Sequence, residues 1–399
     1  MSKAIAQLDE YICQYVLPAG LILLLTGMFW IGDRSDYHRL FYATVALPTF
    51  LALLIRPARI LQGAHNSIFI AFLVFSGYML LSVSWSGTDK SFGTLFKRPF
   101  YIALLFYCVA LLVLTTPTKV NTALRASIAG TACAAFVSLA IFYGSDSRGR
   151  FDGYGALYNP LLTSHVYGCF AALTLGFISC AQQKRDLLFL SIAFSILITI
   201  IFATGSRTPL VGISAAVVWI VLAKADRRAF WILATCCITA ILLITLMPES
   251  VTSRGLSYRP EIWKEAWSQI SQRIWLGHGL DHPMSFPVWG NKDAFADPHN
   301  MELAVLFSGG LAGLSLWLVL YAVTLRFALH NRHVPLVVAA SAALVYGFAA
   351  GLTEGNSFMS RPKEHWFLIW IPFALLAGTS LAKRYCIDFQ GKSVLGASS

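Results

Sequence analysis

The sequence predicts an all-α integral membrane protein, with about twelve transmembrane helices in one continuous bundle and a single large loop on the outer face. Three observations lead there. Of the 399 residues, 57% are hydrophobic and only 12% charged, which leaves too little polar surface for a water-soluble chain. Apolar runs of roughly 16 to 21 residues recur along the whole length, close to the ~20 residues a helix needs to cross about 30 Å of hydrocarbon. The polar connections between these runs are short, except for residues 248–298.

In chain order the expected spans are 13–30, 37–55, 66–84, 99–114, 123–143, 160–181, 187–203, 208–223, 229–247, 299–325, 334–351 and 365–382, which together make residues 1–399 a single polytopic domain. An even number places both termini on one side. The first run is long and lacks a small-residue cleavage site, so it reads as a span rather than a removable signal. With the termini inside, the turns carrying Arg56 and Arg59, Lys184 and Arg185, Lys224 with Arg227 and Arg228, and Lys383 with Arg384 become cytoplasmic, which is the positive-inside pattern. The 30 Lys and Arg divide evenly between the two faces until the long loop is set aside, and the short loops then favour the same orientation. The outer face thus holds more cations than topology demands. Most of the acids also lie there, so particular basic residues matter rather than a diffuse basic field. The net charge of +11 mostly reflects the cytoplasmic turns and carries no nucleic-acid signal.

The eight cysteines fall in spans or on the inner side, so neither an extracytoplasmic disulfide framework nor a metal cluster can be built from them. No internal repeat of the kind that marks alternating-access halves is evident.

The loop 248–298, between spans nine and ten, is too long for a plain connection and contains Trp263, Trp267, Trp275 and Trp289. Ile262, Trp263, Ala266, Trp267, Ile270, Ile274 and Trp275 recur at helical spacing, with Glu261, Lys264, Glu265 and Gln272 between them, which predicts an amphipathic helix. Pro260 suits its first turn, where the missing N–H costs nothing. Such a helix either caps the bundle or lies at the lipid surface, or else covers a cavity with tryptophans that can stack on sugar faces, and these readings are compatible.

Four places carry candidate chemistry. The turn Gly205-Ser206-Arg207-Thr208-Pro209 follows a run, Leu188 to Ala203, of only about 24 Å at 1.5 Å per residue, which predicts a turn recessed below the outer surface. Arg207 there either snorkels to the interface or meets an anion. Arg259 begins the amphipathic helix, where free N–H groups and the helix dipole already favour anions, so guanidinium and helix terminus together suit a phosphate. Arg254 either joins it or is solvated in the loop, and Arg148 and Arg150, on a glycine-containing outer loop, are equally ambiguous.

The fourth is Asp297-Pro298-His299-Asn300-Met301-Glu302, at the outer mouth of the tenth span. A helix N-terminus favours neutral imidazole, the form that accepts a proton, so His299 is a candidate general base as well as a candidate structural residue. Glu302, at i+3, is expected to fix the imidazole tautomer or pair with an arginine. No His-Glu-x-x-His, Cys-x-x-Cys or Asp-x-Asp occurs, so no metal site or cation-diphosphate clamp is expected and arginines would take the metal's role. A nucleophile elbow is also missing.

His299-Asn300, followed by nine residues and then Gly310-Leu311-Ala312-Gly313, resembles the H-N-x9-G-x-x-G signature of the bacterial O-antigen ligase family. Eleven residues are close to three helical turns, which puts His299 and Gly310 on one face, while Gly309 and Gly313 form a small-xxx-small packing site. The Gly-Ser-Arg turn, Arg-Pro-Glu-Ile-Trp and Gly277-His278-Gly279 precede it in the order of the wider ligase and polymerase superfamily. The likeness spans roughly residues 200–315 together with the hydropathy of the whole chain. It implies a type C glycosyltransferase-like, metal-independent, inverting enzyme of the inner membrane that needs no cofactor. The expected donor is O-antigen polysaccharide on undecaprenyl diphosphate and the expected acceptor a sugar of the lipid A core, with membrane lipids as further partners and the active site facing the periplasm. On this resemblance His299 deprotonates the acceptor hydroxyl, Arg207 and Arg259 engage the diphosphate with Arg254 beside them, and Asn300 and Glu302 support. O-antigen polymerase is the nearest alternative. Protein O-oligosaccharyltransferase commonly adds an extracytoplasmic carboxy-terminal region, whereas this chain ends in the short inner tail Lys383–Ser399. From another class, a lipid-linked glycan transporter shares the composition, but the large outer loop suits it less.

Overall fold

The computed structural model describes residues 3–63, 65–145, 149–246, 258–288 and 293–395, and among them the architecture is helical, with a single isolated β-bridge between Phe286 and Phe295. Among the described residues, eight helices are long and apolar enough to cross a membrane: α1 (Lys3–Phe29), α2 (Arg34–Ile55), α3 (Ser67–Trp85), α4 (Phe92–Thr115), α5 (Pro117–Gly144), α6 (Pro160–Cys180), α7 (Lys184–Ala203) and α11 (Met301–His330). Two shorter apolar helices are α8 (Thr208–Lys224) and α12 (Pro335–Gly351). The remaining long elements are α9 (Arg227–Leu246), α10 (Arg259–Gln272) and α13 (Trp370–Leu395). In α1 and α2 the turn before a proline, Pro18 or Pro48, widens to a π-helix, because proline offers no N–H to the regular ladder.

The bundle winds around α6, on which every residue from Thr163 to Ser179 is buried. It packs against α7, α8 and α12, while α4 lies along α13 and α3 along α11. Leu188, Ile192, Val211, Val218, Leu222, Phe136 and Val137 point outward and stay exposed, as expected of a bundle whose solvent is hydrocarbon.

Two expectations about helices change. The seventh helix is 20 residues, not 16. Its first turn is the polar Lys184-Arg185-Asp186, where Asp186 accepts bonds from Arg125, so the helix extends beyond its apolar run and is long enough for a full crossing. The recess argued from a short helix therefore falls away. Second, α11 is not continuous, because Gly310 has φ +61° and ψ −165°, a conformation open essentially to glycine alone. Helical spacing therefore does not carry His299 and Gly310 onto one face.

The break at Gly310 has a purpose in the packing. Segment 274–279 docks into it through main-chain bonds: Leu311 N–H to Ile274 O (2.8 Å), His278 N–H to Phe307 O (2.8 Å) and Gly279 N–H to Ser308 O (2.8 Å). A Cβ on Gly310 would sit 2.4 Å from the Trp275 carbonyl. The Gly-His-Gly and Gly-Leu-Ala-Gly motifs thus meet in space, tying the long loop to α11. Gly309 and Gly313 do form a packing face, because a Cβ on either would meet Met79 of α3, and the Tyr78 hydroxyl donates to Gly309 O at 2.7 Å.

Helix α10 is the amphipathic helix of the loop, with a proline in its first turn. Ile262, Ala266 and Ile270 are buried against Phe286, Val288, Leu306 and Phe307. Trp263 and Ile274 are partly buried against the same cluster, whereas Trp267 and Trp275 are exposed, so the inward face is narrower than the sequence stripe. Trp289 and Arg254 lie outside the described residues.

Candidate functional site

The helices leave a cavity of about 460 Å³ where the α7–α8 turn, the start of α10, the approach to α11 and the segment after α12 converge. Its lining includes Arg150, Ser206, Arg207, Arg259, His299 and Glu354. Two of the expected arginines and the expected histidine therefore share one cavity, although more than ninety residues separate Arg207 from His299.

Each is positioned locally. Gly205 takes φ +60° and lets the chain reverse between α7 and α8. Arg150 braces that turn, donating from Nε to Thr204 O at 2.7 Å and from Nη2 to Ser206 Oγ at 3.1 Å. Of the two arginines left ambiguous by the sequence, Arg150 is thus a wall of the cavity, and Arg148 lies outside the described residues. Arg207 precedes the first residue of α8. Arg259 is the first residue of α10, and Tyr258 before it packs its ring 5.9 Å from that of Phe295.

His299 has φ +47°, a left-handed backbone that a non-glycine residue adopts only under constraint. The constraint is visible on both sides. Its N–H donates to Asp297 Oδ1 at 2.7 Å. The next residue, Asn300, caps α11 by accepting from Leu303 N–H at 2.9 Å and donates to Leu352 O at 2.8 Å. Trp263 of α10 donates to Pro298 O at 2.9 Å, which fastens the amphipathic helix to the same strand of chain.

The carboxylate beside His299 is Glu354, not Glu302. His299 Nδ1 lies 2.9 Å from Glu354 Oε1, and Arg259 Nη2 donates to Glu354 Oε2 at 3.1 Å. The Glu302 carboxylate lies beside Gly351 of α12, with Oε2 buried and without a hydrogen-bond partner; its i+3 position is measured from a His299 that is not itself helical. The bond from Glu354 raises the imidazole above its ordinary 6.5. It outweighs burial, which acts the other way, and the charge of Asp297 adds to it. Burial alone would raise Glu354, but the His299 bond and the charges of His299, His165 and Arg259 hold its carboxyl below the usual range. Asp297 is raised, burial prevailing over His299. The helix N-terminus, expected to keep the imidazole neutral, therefore meets a stronger opposing carboxylate, and His299 is a more basic group than its place in the sequence suggests.

Asp297, His299 and Glu354 also bring ligand-type atoms within 4.8 Å of one another, a cluster hidden in the sequence by its split between residues 297–299 and 354. All three have protein partners here, and Arg259 competes with any cation for Glu354. The arrangement can hold an anion beside Arg207 and Arg259 and accept a proton on the ring nitrogen of His299 that Glu354 does not engage.

Fold and cavity together define a class: a multi-helix membrane protein whose candidate site sets arginines against a histidine–carboxylate pair. Residues 192–318 match the model of the O-antigen ligase family. The chain is also 49% identical, over 388 residues covering 97% of its own length and 96% of the relative's, to an O-antigen ligase of Pseudomonas aeruginosa. It belongs to the O-antigen ligase family, and is accordingly a glycosyltransferase-type ligase.

Proposed function

We propose that this enzyme joins O-antigen polysaccharide, delivered on undecaprenyl diphosphate, to a sugar of the lipid A core at the periplasmic face of a bacterial inner membrane. In this reading all twelve apolar helices span, both termini are cytoplasmic, and residues 248–298 are the periplasmic loop, whose helix α10 borders the site. The observation that carries the reading is the meeting of His299, Glu354, Arg259 and Arg207 around one cavity.

The chemistry follows from those groups. The diphosphate lies against Arg207 and Arg259, and Arg254, five residues before Arg259 in the chain, is the further cation proposed to join them. Guanidinium matches phosphate oxygens with paired donors and stabilises the charge that grows as the carrier departs. His299 Nδ1–H donates to Glu354, so Nε2 carries the lone pair that takes the proton of the acceptor hydroxyl. The hydroxyl oxygen bonds to the anomeric carbon as the bond to the diphosphate oxygen breaks on the opposite face, inverting that centre. Glu354 then stabilises the imidazolium, and Asn300 and Asp297 hold the histidine in its strained backbone. Purified protein mixed with lipid-linked glycan and lipid A core should yield a ladder of joined product. Extended glycan still on the carrier would make it a polymerase, and movement of the carrier without bond formation a transporter.

A further inference from the structure

A second cavity, of about 470 Å³, lies on the other side of the chain segments that carry His299 and Glu354. Ala296 and Asn356 line it, three and two residues from His299 and Glu354, which line the first. The two cavities thus share the walls 296–299 and 354–356.

The floor of this second cavity is built around Asp281. Thr88 Oγ1 donates to it at 3.0 Å, Lys90 Nζ at 2.8 Å and Arg98 Nη2 at 2.9 Å. The Asp281 and Arg98 side chains are only 15% and 18% exposed, so the network is held in place rather than waving in solvent. Asp281 also has φ +65°. Among the described residues only three non-glycine residues have positive φ: Ala225, which caps a helix, His299 in the first cavity and Asp281 in the second. Strain of this kind persists where the surroundings over-determine it and concentrates at functional sites. Beside Asp281, the His282 ring stacks on that of His278 with centroids 5.2 Å apart.

The charge balance indicates the ligand. Lys90 and Arg98 face Asp281 and Asp89 in the same lining, so the cavity has no net field to draw a phosphate. It offers instead fixed donors and acceptors of both signs, which suit hydroxyl groups that donate and accept at once. Its volume falls within the ~300–1,000 Å³ of small-ligand sites. A displacement with inversion also needs the attacking sugar across the reacting carbon from the departing diphosphate, and the arginines occupy the first cavity.

We infer that the second cavity is a glycan-binding subsite, occupied by sugars of the acceptor, with Asp281 and its three donors as the recognition centre. This rests on the proposed transfer reaction, with the donor diphosphate in the first cavity. The test has two parts. In the absence of donor, delipidated core oligosaccharide is titrated onto the purified wild type and onto Asp281→Asn, Lys90→Ala and Thr88→Ala. In the transfer assay, KM is measured separately for donor and acceptor.

Loss of one charge-assisted bond should weaken core binding about tenfold and raise the acceptor KM by a similar factor, with donor KM and kcat at saturating acceptor unchanged. Lys90 is half exposed, so Lys90→Ala keeps the test alive if Asp281→Asn misfolds. Equal core affinity in wild type and variants overturns the subsite, and a rise in donor KM alone overturns its assignment to the acceptor. Core binding in a wild type that makes no joined product would sink the transfer reaction and leave the subsite standing.

Discussion

Replacing Glu354 by glutamine removes one charge while keeping the shape of the side chain, and it separates the role of the carboxylate from that of the cavity. In the proposed reaction, His299 becomes a cation only as it takes the acceptor proton, so its 2.9 Å bond to Glu354 strengthens in the transition state. Hydrogen bonds to charged groups contribute about 1.5–3 kcal/mol, and each 1.36 kcal/mol is tenfold in rate, so Glu354→Gln should lower turnover by about 10- to 100-fold. The pH profile supplies a second readout. Glu354 holds His299 above 6.5, and the base acts only when neutral, so wild-type turnover should rise with pH through that elevated value. Without the carboxylate the imidazole loses its protonated form more readily, and the acid limb of the profile should move to lower pH. Single-turnover transfer at saturating donor and acceptor, from about pH 5 to 9, measures both. Arg259 also loses the negative charge opposite it in this variant, which leaves donor affinity equal or higher. Wild-type turnover with an unmoved acid limb would refute the pairing as a catalytic device and leave Glu354 as a brace.

Three further outcomes are expected. Arg207→Ala and Arg259→Ala should each abolish transfer while the protein remains folded in detergent, and lysine should rescue poorly because it lacks the paired donors; full activity of either purified alanine variant would remove that residue from the site. Activity should survive EDTA, because Asp297, His299 and Glu354 are engaged with each other and with Arg259; loss on chelation with recovery specific to Mg²⁺ or Mn²⁺ would show that their 4.8 Å cluster holds a cation. Gly310→Ala should cost about 1–3 kcal/mol through its backbone conformation, and more through contact with Trp275, seen as a lower melting temperature; an unchanged melting temperature would mean that the α11 break and the docked 274–279 segment contribute nothing.

Much of this was legible in the sequence because membrane insertion imposes long apolar runs, and among the described residues eight helices are long and apolar enough to cross a membrane. The amphipathic loop helix showed itself by its period, and Arg207, Arg259 and His299 by their places at helix ends. What the sequence could not show arises where the chain leaves regular geometry. A three-turn spacing from His299 to Gly310 requires an unbroken helix, but Gly310 breaks it to admit residues 274–279. Helical spacing points to Glu302 as the partner of His299, yet His299 sits outside the helix with φ +47°. The actual partner, Glu354, lies 55 residues downstream in Gly351-Leu352-Thr353-Glu354-Gly355-Asn356, an acid between glycines that link two apolar runs. That local pattern was the one available signal. Asp281 and its donors, drawn from positions 88, 90 and 98, had none, since only folding brings them together.

The central claim is that His299 takes the acceptor proton while the arginines hold the donor, and one substitution tests it most directly. An amide can hydrogen-bond a hydroxyl but cannot take its proton. Single-turnover transfer by His299→Gln, with donor affinity determined separately, should therefore fall by about 10²- to 10⁴-fold at unchanged donor affinity. Transfer at the wild-type rate would contradict the account and make His299 a positioning residue. Lost donor affinity with unchanged turnover would contradict it too, moving the histidine to the diphosphate side of the site.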